Sequence, residues 1–209
     1  MRVAALYDVH GFRLGLEAVL AELEQEQVDA IVFGGDLFLG PQPAETAELV
    51  RSVDAGFVRG NCDREPDDWT RSRLDAETIA WLQGWPLTVE LDDVLYCHAS
   101  PKDDMRPILT EASPPERFDE ALEGIENRLV VAGHTHMQFR RDRWVNAGSI
   151  GWPAENDVAA FWALVSDDVE RAAEEILASG WPDAEVFVAE NIRTAPSHEE
   201  ATASFESMT

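Results

Sequence analysis

The stretch LVVAGHTHM, residues 129–137, holds both a fold signal and a chemical one. Leu129–Ala132 is an unbroken apolar run of strand length. It ends at Gly133, and His134 and His136 follow with one residue between them. In an extended segment side chains two apart point the same way, so the pair presents two imidazoles to one space. Converging imidazoles suit a metal ion. A lone histidine beside a strand is more often a satisfied core or surface residue, and a chance pair is the competing reading. The rest of the chain must decide.

Comparable runs occur upstream. Val3–Tyr7 reads as a buried strand, Ala30–Phe33 as a second closed by Gly34-Gly35-Asp36, and Phe57–Arg59 as a third closed by Gly60-Asn61. Between the first two, Leu16, Val19, Leu20 and Leu23 are spaced for one helical face, with Glu17, Glu22, Glu24 and Glu26 facing out. Pro43 suits the first turn of a helix whose body is Ala44–Val50. Strands alternating with helices predict an α/β layered fold with a partly parallel sheet.

The middle of the chain changes rhythm. Asp75 can cap a helix carrying Ile79 and Leu82. Leu87–Leu91 and Val94–His98 flank Asp92-Asp93 as a hairpin. Ser113-Pro114-Pro115-Glu116 has the pattern of a capping box and opens a helix with Phe118, Leu122 and Ile125 on one face. Met137–Arg140 and Arg143–Val145 flank Arg141-Asp142 as another hairpin, and Phe161–Val165 reads as a late strand. Val169, Ala172, Ala173 and Ile176 are spaced for a packed helical face, and Ser197 with Glu200 forms a second capping-box pattern. The tail from about Ala203 is expected to fray. No internal repeat or linker interrupts the chain. Residues 1–209 are expected to form a single domain, with the motifs in about 1–165 and a helical C-terminal extension over about 166–209.

Composition narrows the function classes. The 209 residues are 45% hydrophobic and 27% charged, as in an ordinary globular protein. No apolar run approaches the roughly 20 residues that span a bilayer. The N-terminus, MRVAALYDVHG, reads as a strand rather than a signal peptide, so a cytoplasmic location is expected. Cys62 and Cys97 are too few for a disulfide framework. Forty-one acidic residues face 16 basic ones, a net charge of -25, and Lys102 is the single lysine. Such a surface repels nucleic acid and anionic membranes. Its simplest role is solubility.

The metal-capable side chains collect at one kind of place. Asp8 and His10 follow the first apolar run, Asp36 the second, Asn61 the third, His98 the fifth, and His134 and His136 the sixth. In an open α/β sheet, loops leaving the carboxyl ends of strands gather on one edge, where ligands bind. Each residue has a plainer alternative. Asp8 or Asp36 could cap the next helix, Asn61 could sit in a turn, and His98 could be a half-buried core residue. Jointly those alternatives require the same coincidence at five strand ends.

The set Asp8-Val9-His10, Gly35-Asp36, Gly60-Asn61-Cys62-Asp63, His98 and Gly133-His134-Thr135-His136 resembles the motif series of the calcineurin-like metallophosphoesterases in order and rough spacing. Asn146-Ala147-Gly148-Ser149 is similar to the Asn-Pro-Gly-Ser turn of their small bacterial and archaeal phosphodiesterase branch. The resemblance covers about residues 1–165. It implies a four-layer α/β/β/α sandwich, two facing mixed β-sheets flanked by helices, with a dinuclear metal centre at their rim.

Carried over by position, Asp8, His10 and His136 hold one metal, Asn61, His98 and His134 the other, and Asp36 bridges them. Nitrogen and carboxylate oxygen without thiolate suit Mn²⁺, Fe, Zn²⁺, Co²⁺ or Ni²⁺, and Mn²⁺ is the expected pair. Two metals about 3.5–4 Å apart can turn a shared water into hydroxide and draw in phosphate oxygens. Asp36 and Asn61 therefore count as catalytic candidates, and Asn61 also as a phosphate contact.

One position departs from the family. Many members, the protein Ser/Thr phosphatases among them, have a histidine after the motif asparagine, thought to protonate the leaving group. Here it is Cys62, either a small neutral filler or a reactive thiol. Asp63 is a further acid/base candidate, or an orienting residue. Arg64, Lys102 and Arg106 could meet a phosphate or could form surface salt bridges. Tyr7 and Phe12 could narrow the pocket or belong to the core.

The resemblance implies a phosphodiesterase acting on a small phosphodiester or nucleotide through a dimetal-bound hydroxide. The alternatives are a binding scaffold without turnover, like the phosphoesterase-like subunit of the retromer coat, a phosphomonoesterase or protein phosphatase, and a metal hydrolase of non-phosphate substrates. All seven ligand positions are filled, which favours an enzyme.

Overall fold

The computed structural model describes residues 1–126, 128–155, 157–166 and 168–189. Strand β1 (Val3–Leu6) runs into helix α1 (Arg13–Glu26), strand β2 (Ala30–Phe33), helix α2 (Pro43–Arg51) and the two-residue strand β3 (Gly56–Phe57). β1, β2 and β3 are parallel, with Val3 opposite Ala30 and Val32 opposite Gly56. The third strand is shorter than the expected Phe57–Arg59. Val58 still donates to Phe33 O at 2.8 Å, but Arg59 N turns away to Pro86 O at 2.8 Å. Three short helices follow: α3 (Asn61–Arg64), α4 (Asp68–Arg73) and α5 (Ala76–Gln83). Asp75 caps α5 by accepting from Thr78 N at 2.7 Å, as its position suggests.

The second sheet begins with the antiparallel hairpin β4 (Thr88–Leu91) and β5 (Val94–Cys97). Helix α6 (Pro115–Ala121) comes next, then β6 (Leu129–Ala132), β7 (Gln138–Arg141), β8 (Trp144–Ala147) and β9 (Ala163–Val165). The expected capping box at α6 does not form. Pro114 occupies the cap position, and Ser113 Oγ instead accepts from Thr110 N at 2.9 Å. The hairpin β7–β8 turns one residue later than expected, with Asp142 in a left-handed conformation (φ 51°) that a short polar side chain tolerates. The strand order is β3-β2-β1-β9 in one sheet and β4-β5-β6-β8-β7 in the other. β5, β6 and β8 are parallel, while β4, β7 and β9 pair antiparallel, so both sheets are mixed.

Alternation along each strand sorts residues between layers. Val3, Ala5 and Tyr7 point to the second sheet and pack with Val32, Val58, Tyr96, Val131 and Ala147. The Tyr7 hydroxyl donates to Val131 O at 2.9 Å, which stitches the sheets together. Ala4 and Leu6 point the other way, onto Leu16, Val19 and Leu23 of α1 and Val50 of α2. On the far side of the second sheet Cys97, Val130, Ala132 and Trp144 pack with Phe118 and Ala121 of α6. The result is the α/β/β/α sandwich. Tyr7 is thus an inter-sheet core residue and does not narrow a pocket.

These elements belong to one compact unit, Met1–Val165; a second begins at Ser166. The second contains α7 (Asp168–Ala178) and α8 (Ala184–Phe187), and the Trp181 ring lies 5.2 Å from that of Phe187. The Ser197–Glu200 box and the tail from Ala203 lie outside the described residues, as do the side chains of Val169 and Ala172. Among the described residues no helix is long and apolar enough to cross a membrane.

The end of α5 anchors an aromatic group in which Trp85 stacks on Phe57 at 4.9 Å and meets Trp81 edge-on at 4.8 Å. Leu82, 1% exposed, packs in the same cluster. Leu82→Ala should cost about 2–5 kcal/mol through its cavity. Asp75→Ala should cost about 1 kcal/mol through the lost cap. Denaturant unfolding of the two variants measures both, and the reverse ranking would mean that α5 is held by its cap rather than by its core face.

Candidate metal centre

Because β1, β2 and β3 run parallel, as do β5, β6 and β8, the loops after their carboxyl ends meet at one rim. Those loops do not stay extended. Asp8 (φ 51°), His10 (49°), Asp36 (55°), His134 (68°) and His136 (60°) all lie in the left-handed region. Such backbone is uncommon for residues other than glycine, though Asp and His adopt it more readily than most, and it clusters at functional sites. Backbone bonds between the loops fix it: Asp8 N to Gly35 O at 3.1 Å, His10 N to Asp36 O at 3.0 Å, and Gly133 N to His98 O at 3.0 Å. The strand geometry expected for His134 and His136 is therefore absent, and the two imidazoles reach different places.

His136 joins Asp8 and His10; His134 joins Asp36 and His98. Within each trio one ligand atom from every residue lies within 4.8 Å of the others. Asp8 Oδ1 is 3.4 Å from His136 Nε2, 3.7 Å from His10 Nε2 and 4.0 Å from His98 Nε2. Asp36 Oδ2 is 3.5 Å from His98 Nε2, and Asn61 Oδ1 is 3.2 Å from the same nitrogen.

Backbone carbonyls orient three of the rings. Nδ1 faces Leu39 O in His10 (3.2 Å), Gly34 O in His98 (2.8 Å) and Trp152 O in His136 (2.7 Å). A carbonyl can only accept, so each Nδ1 carries the hydrogen, and in a neutral ring Nε2 is left as a bare lone pair. Two such lone pairs, on His10 and His136, lie 3.1 Å apart. A third faces the Asn61 oxygen. Asp8 Oδ1 is buried and has no hydrogen-bond partner. Facing acceptors and an orphaned buried carboxylate oxygen are what a cation would satisfy, so these residues fit the metal pair that the resemblance implies.

The carboxylates favour positive charge at this place, whether as a proton on a facing imidazole or as a cation. Burial disfavours a charged His98, but Asp36 and Asp8 outweigh it and push its pKa up to about 10. Burial likewise opposes ionisation of Asp36, yet His98 and His10 hold it below the usual carboxylate range. Burial lowers His10 and His134. His136 rises despite burial because Asp8 faces it.

Around this core the other sequence candidates take distinct places. Cys62 N donates to Asp36 Oδ1 at 2.8 Å, and Cys62 Sγ accepts from Asn61 Nδ2 at 3.3 Å. Burial, then Asp36, push the thiol far above its ordinary range. Asp63 accepts from Asp36 N (2.7 Å), Gly60 N (2.9 Å) and Leu37 N (3.2 Å), so its carboxylate clamps two ligand loops together. Burial and nearby Asp36 raise it to about 7, and the three N–H donors oppose that rise. Arg64 Nε donates to both oxygens of Asp104, at 3.1 and 3.0 Å, and Lys102 pairs with Glu123 at 3.2 Å, so the salt-bridge reading describes both. Arg106 is exposed. Neither Asp8 nor Asp36 caps a helix; α1 and α2 begin at Phe12 and Gln42 without side-chain caps.

Several supporting residues were not assigned a role from sequence. Asn146 Nδ2 donates to Gly133 O (2.7 Å) and Thr135 Oγ1 (2.9 Å), which braces the histidine loop. Ser149 Oγ donates to Asp8 O at 2.8 Å. Gly60 and Gly133 permit close approach: a Cβ at Gly133 would lie 2.5 Å from Asp8 Oδ2, and one at Gly60 would overlap Asp36 Oδ1. Trp69 and Trp152 line a cavity beside His10 that Phe12 does not reach. Their signal in the sequence was a pair of tryptophans in polar, loop-rich stretches.

Comparisons with known proteins point the same way. The family model described as the calcineurin-like phosphoesterase superfamily domain matches residues 1–168. The symmetrical bis(5'-nucleosyl)-tetraphosphatase of Vibrio parahaemolyticus is 28% identical over 176 residues, covering 63% of this chain and 66% of that protein. The chain thus spans just under two thirds of that relative's length. Among solved structures, a metallophosphoesterase from Sphaerobacter thermophilus superposes with a TM-score of 0.67 at 24% identity, over 90% of this chain and 97% of the other. Yfce, a phosphoesterase from E. coli, gives 0.52 at 23% identity, over 80% and 90%.

Asp36 acts electrostatically on His10 of one trio and on His98 and His134 of the other. If it bridges two ions, Asp36→Asn should deplete both sites, whereas Asn61→Ala removes one neutral ligand and should deplete one. Metal content per folded chain, measured after dialysis, compares them. An Asp36→Asn protein that keeps two ions would remove the bridging role.

Proposed function

Since the chain belongs to the calcineurin-like phosphoesterase superfamily, whose members are dimetal-dependent, we propose that it is a metal-dependent phosphodiesterase that hydrolyses a small phosphodiester or nucleotide. The observation that carries this reading is the pair of converging donor trios with Asp8 Oδ1 buried and unpartnered between them. Asp8, His10 and His136 would hold one divalent ion, Asn61, His98 and His134 the other, and Asp36 would serve both. Mn²⁺ is the proposed metal among the ions that a nitrogen and oxygen set without thiolate suits, with Fe, Zn²⁺, Co²⁺ and Ni²⁺ as the alternatives. When bound, two such ions activate a water and neutralise charge on the phosphate.

The protein's own residues do the rest. The Nδ1 bonds of His10, His98 and His136 hold each imidazole in its ligating tautomer. Asp63 keeps the Asp36 and Asn61 loops in register, and Asn146 does the same for the histidine loop. Ser149 and Asp8 N tie the first strand's loop to its neighbours. Asn61 Nδ2, whose partner is only the weak acceptor Cys62 Sγ, is free to turn to a phosphate oxygen. Residues 1–165 form the catalytic body in this reading, and 166–209 an extension to it. The nucleotide option draws on the tetraphosphatase relative. The net charge of -25 disfavours nucleic acid.

The side chain next to Asn61 sets the chemistry's range. No imidazole stands at Cys62 to protonate a leaving group. Aryl phosphodiesters, whose phenolates depart unprotonated, should be cleaved much faster than alkyl ones, because general acid help is worth about 10²–10⁴-fold. Chelation should abolish turnover and Mn²⁺ should restore it. Cys62→His should flatten the dependence on leaving-group pKa, and Cys62→Ala should change it little. Rates over a leaving-group series, with metal content checked in each variant, test this. A flat series in the unaltered protein would sink the missing-acid argument. No metal-dependent hydrolysis of any ester would sink the enzyme reading in favour of a scaffold.

A further inference from the structure

The metal ligands do not account for the cavity beside them. It encloses about 510 Å³, within the size range of small-ligand sites, and His10 forms part of its wall. Two exposed indoles form other parts: Trp152, 63% exposed, and Trp69, 46% exposed. Both are held in place. Trp69 sits in the first turn of α4, donates Nε1–H to Gly40 O at 2.9 Å, and carries the Arg73 guanidinium on its ring at 4.1 Å from the centroid. Trp152 follows the turn that Ser149 secures. Its ring meets His10 edge-on at 5.4 Å, and its carbonyl orients His136.

Large apolar groups fixed at the surface next to a polar site mark a binding surface. The wall chemistry says what binds. Two indoles offer flat π faces, suited to a planar ring rather than an alkyl chain. Asp67 caps α4 through Oδ1, bonded by Thr70 N at 2.9 Å, and its other oxygen can accept from an N–H. No lysine or arginine is among the lining residues, so the cavity does not itself hold a phosphate. The anionic part of a ligand therefore belongs at the metal ligands, with which the cavity shares His10.

We propose that this cavity is a nucleobase subsite, so that the substrate is a nucleoside phosphoester. Its base lies against Trp69 and Trp152, an exocyclic amine reaches Asp67, and its phosphoryl group sits at the Asp8–His10–Asp36–His98 cluster. The placement of the phosphoryl group rests on the phosphoesterase reading above.

Adenosine 5'-monophosphate and ribose 5-phosphate share the phosphate and sugar and differ by the base. Calorimetric binding of both to the Mn²⁺-loaded protein should favour the nucleotide by about 5- to 150-fold, the range for stacking one base on aromatic side chains. That ratio should fall toward one in Trp69→Ala and in Trp152→Ala, and stay near the original in Trp69→Phe. A ratio near one in the unaltered protein, or one unchanged by both alanine variants, would overturn the subsite. A kinetic arm separates this failure from that of the enzyme reading. Adenosine 5'-(4-nitrophenyl) phosphate and methyl 4-nitrophenyl phosphate have the same leaving group, and the subsite should lower KM for the first relative to the second. Equal KM values would count against the subsite. No turnover of either would sink the phosphoesterase reading alone, because the binding ratio decides the subsite without chemistry.

Discussion

Asp8 is the point on which the two sheets and the site depend together. It lies two residues beyond β1, an inner strand of the first sheet. Its N–H is bonded to Gly35 O, its carbonyl accepts from Ser149 Oγ and from Gly151 N at 3.0 Å, and its Oδ2 accepts from His134 N at 2.9 Å. One residue thus ties together the loops after β1, β2, β6 and β8, which come from both sheets. That leaves Oδ1 buried without a hydrogen bond, facing the Nε2 atoms of His136 at 3.4 Å and His10 at 3.7 Å. Stability and ligand geometry are coupled here, because the bonds that close the rim also aim the orphaned oxygen.

The same coupling explains the strained backbone. Five candidate ligands, Asp8, His10, Asp36, His134 and His136, in left-handed conformations would each cost on the order of 1–3 kcal/mol in isolation. The cost is tolerated because each loop is pinned by its neighbours: Asp63 clamps the Asp36 and Gly60 backbones, Asn146 holds the histidine loop, and glycines at 60 and 133 allow carboxylates to approach where a Cβ would collide. Burial alone would favour neutral carboxylates and neutral histidines. The opposed charges of Asp36 and His98 resist this, which keeps a polar cluster viable inside an apolar rim.

Beyond the rim, the molecule has two chemically different approaches. One side holds acceptors and suits cations. The adjoining cavity holds indoles and a carboxylate and suits a planar ring. Since His10 belongs to both, the distance between the two functions is a side chain's width, and specificity and chemistry can be carried by one small ligand.

The sequence by itself determined the α/β class, since the apolar runs Val3–Leu6 and Leu129–Ala132 and the helical spacing in Leu16–Leu23 are local patterns with local causes, while the four layers came from the resemblance. It also determined which residues could bind metal, because each follows a strand and parallel strands deliver their ends to one edge. It did not determine their geometry. Strand spacing alone made His134 and His136 a same-side pair on extended backbone, whereas the resemblance sent them to different metals; the bonds to His98 O and Asp8 Oδ2 show how the folded loop separates them. The Ser113–Glu116 box failed because Thr110 N competes for the Ser113 hydroxyl, and Tyr7 proved to be core because its hydroxyl finds Val131 O across the sheets. Trp69 and Trp152, far apart in the chain, share a wall only after folding. Local patterning is written in nearest neighbours along the chain, whereas the aim of a side chain and the lining of a cavity depend on contacts between segments distant in the chain, which tertiary packing alone supplies.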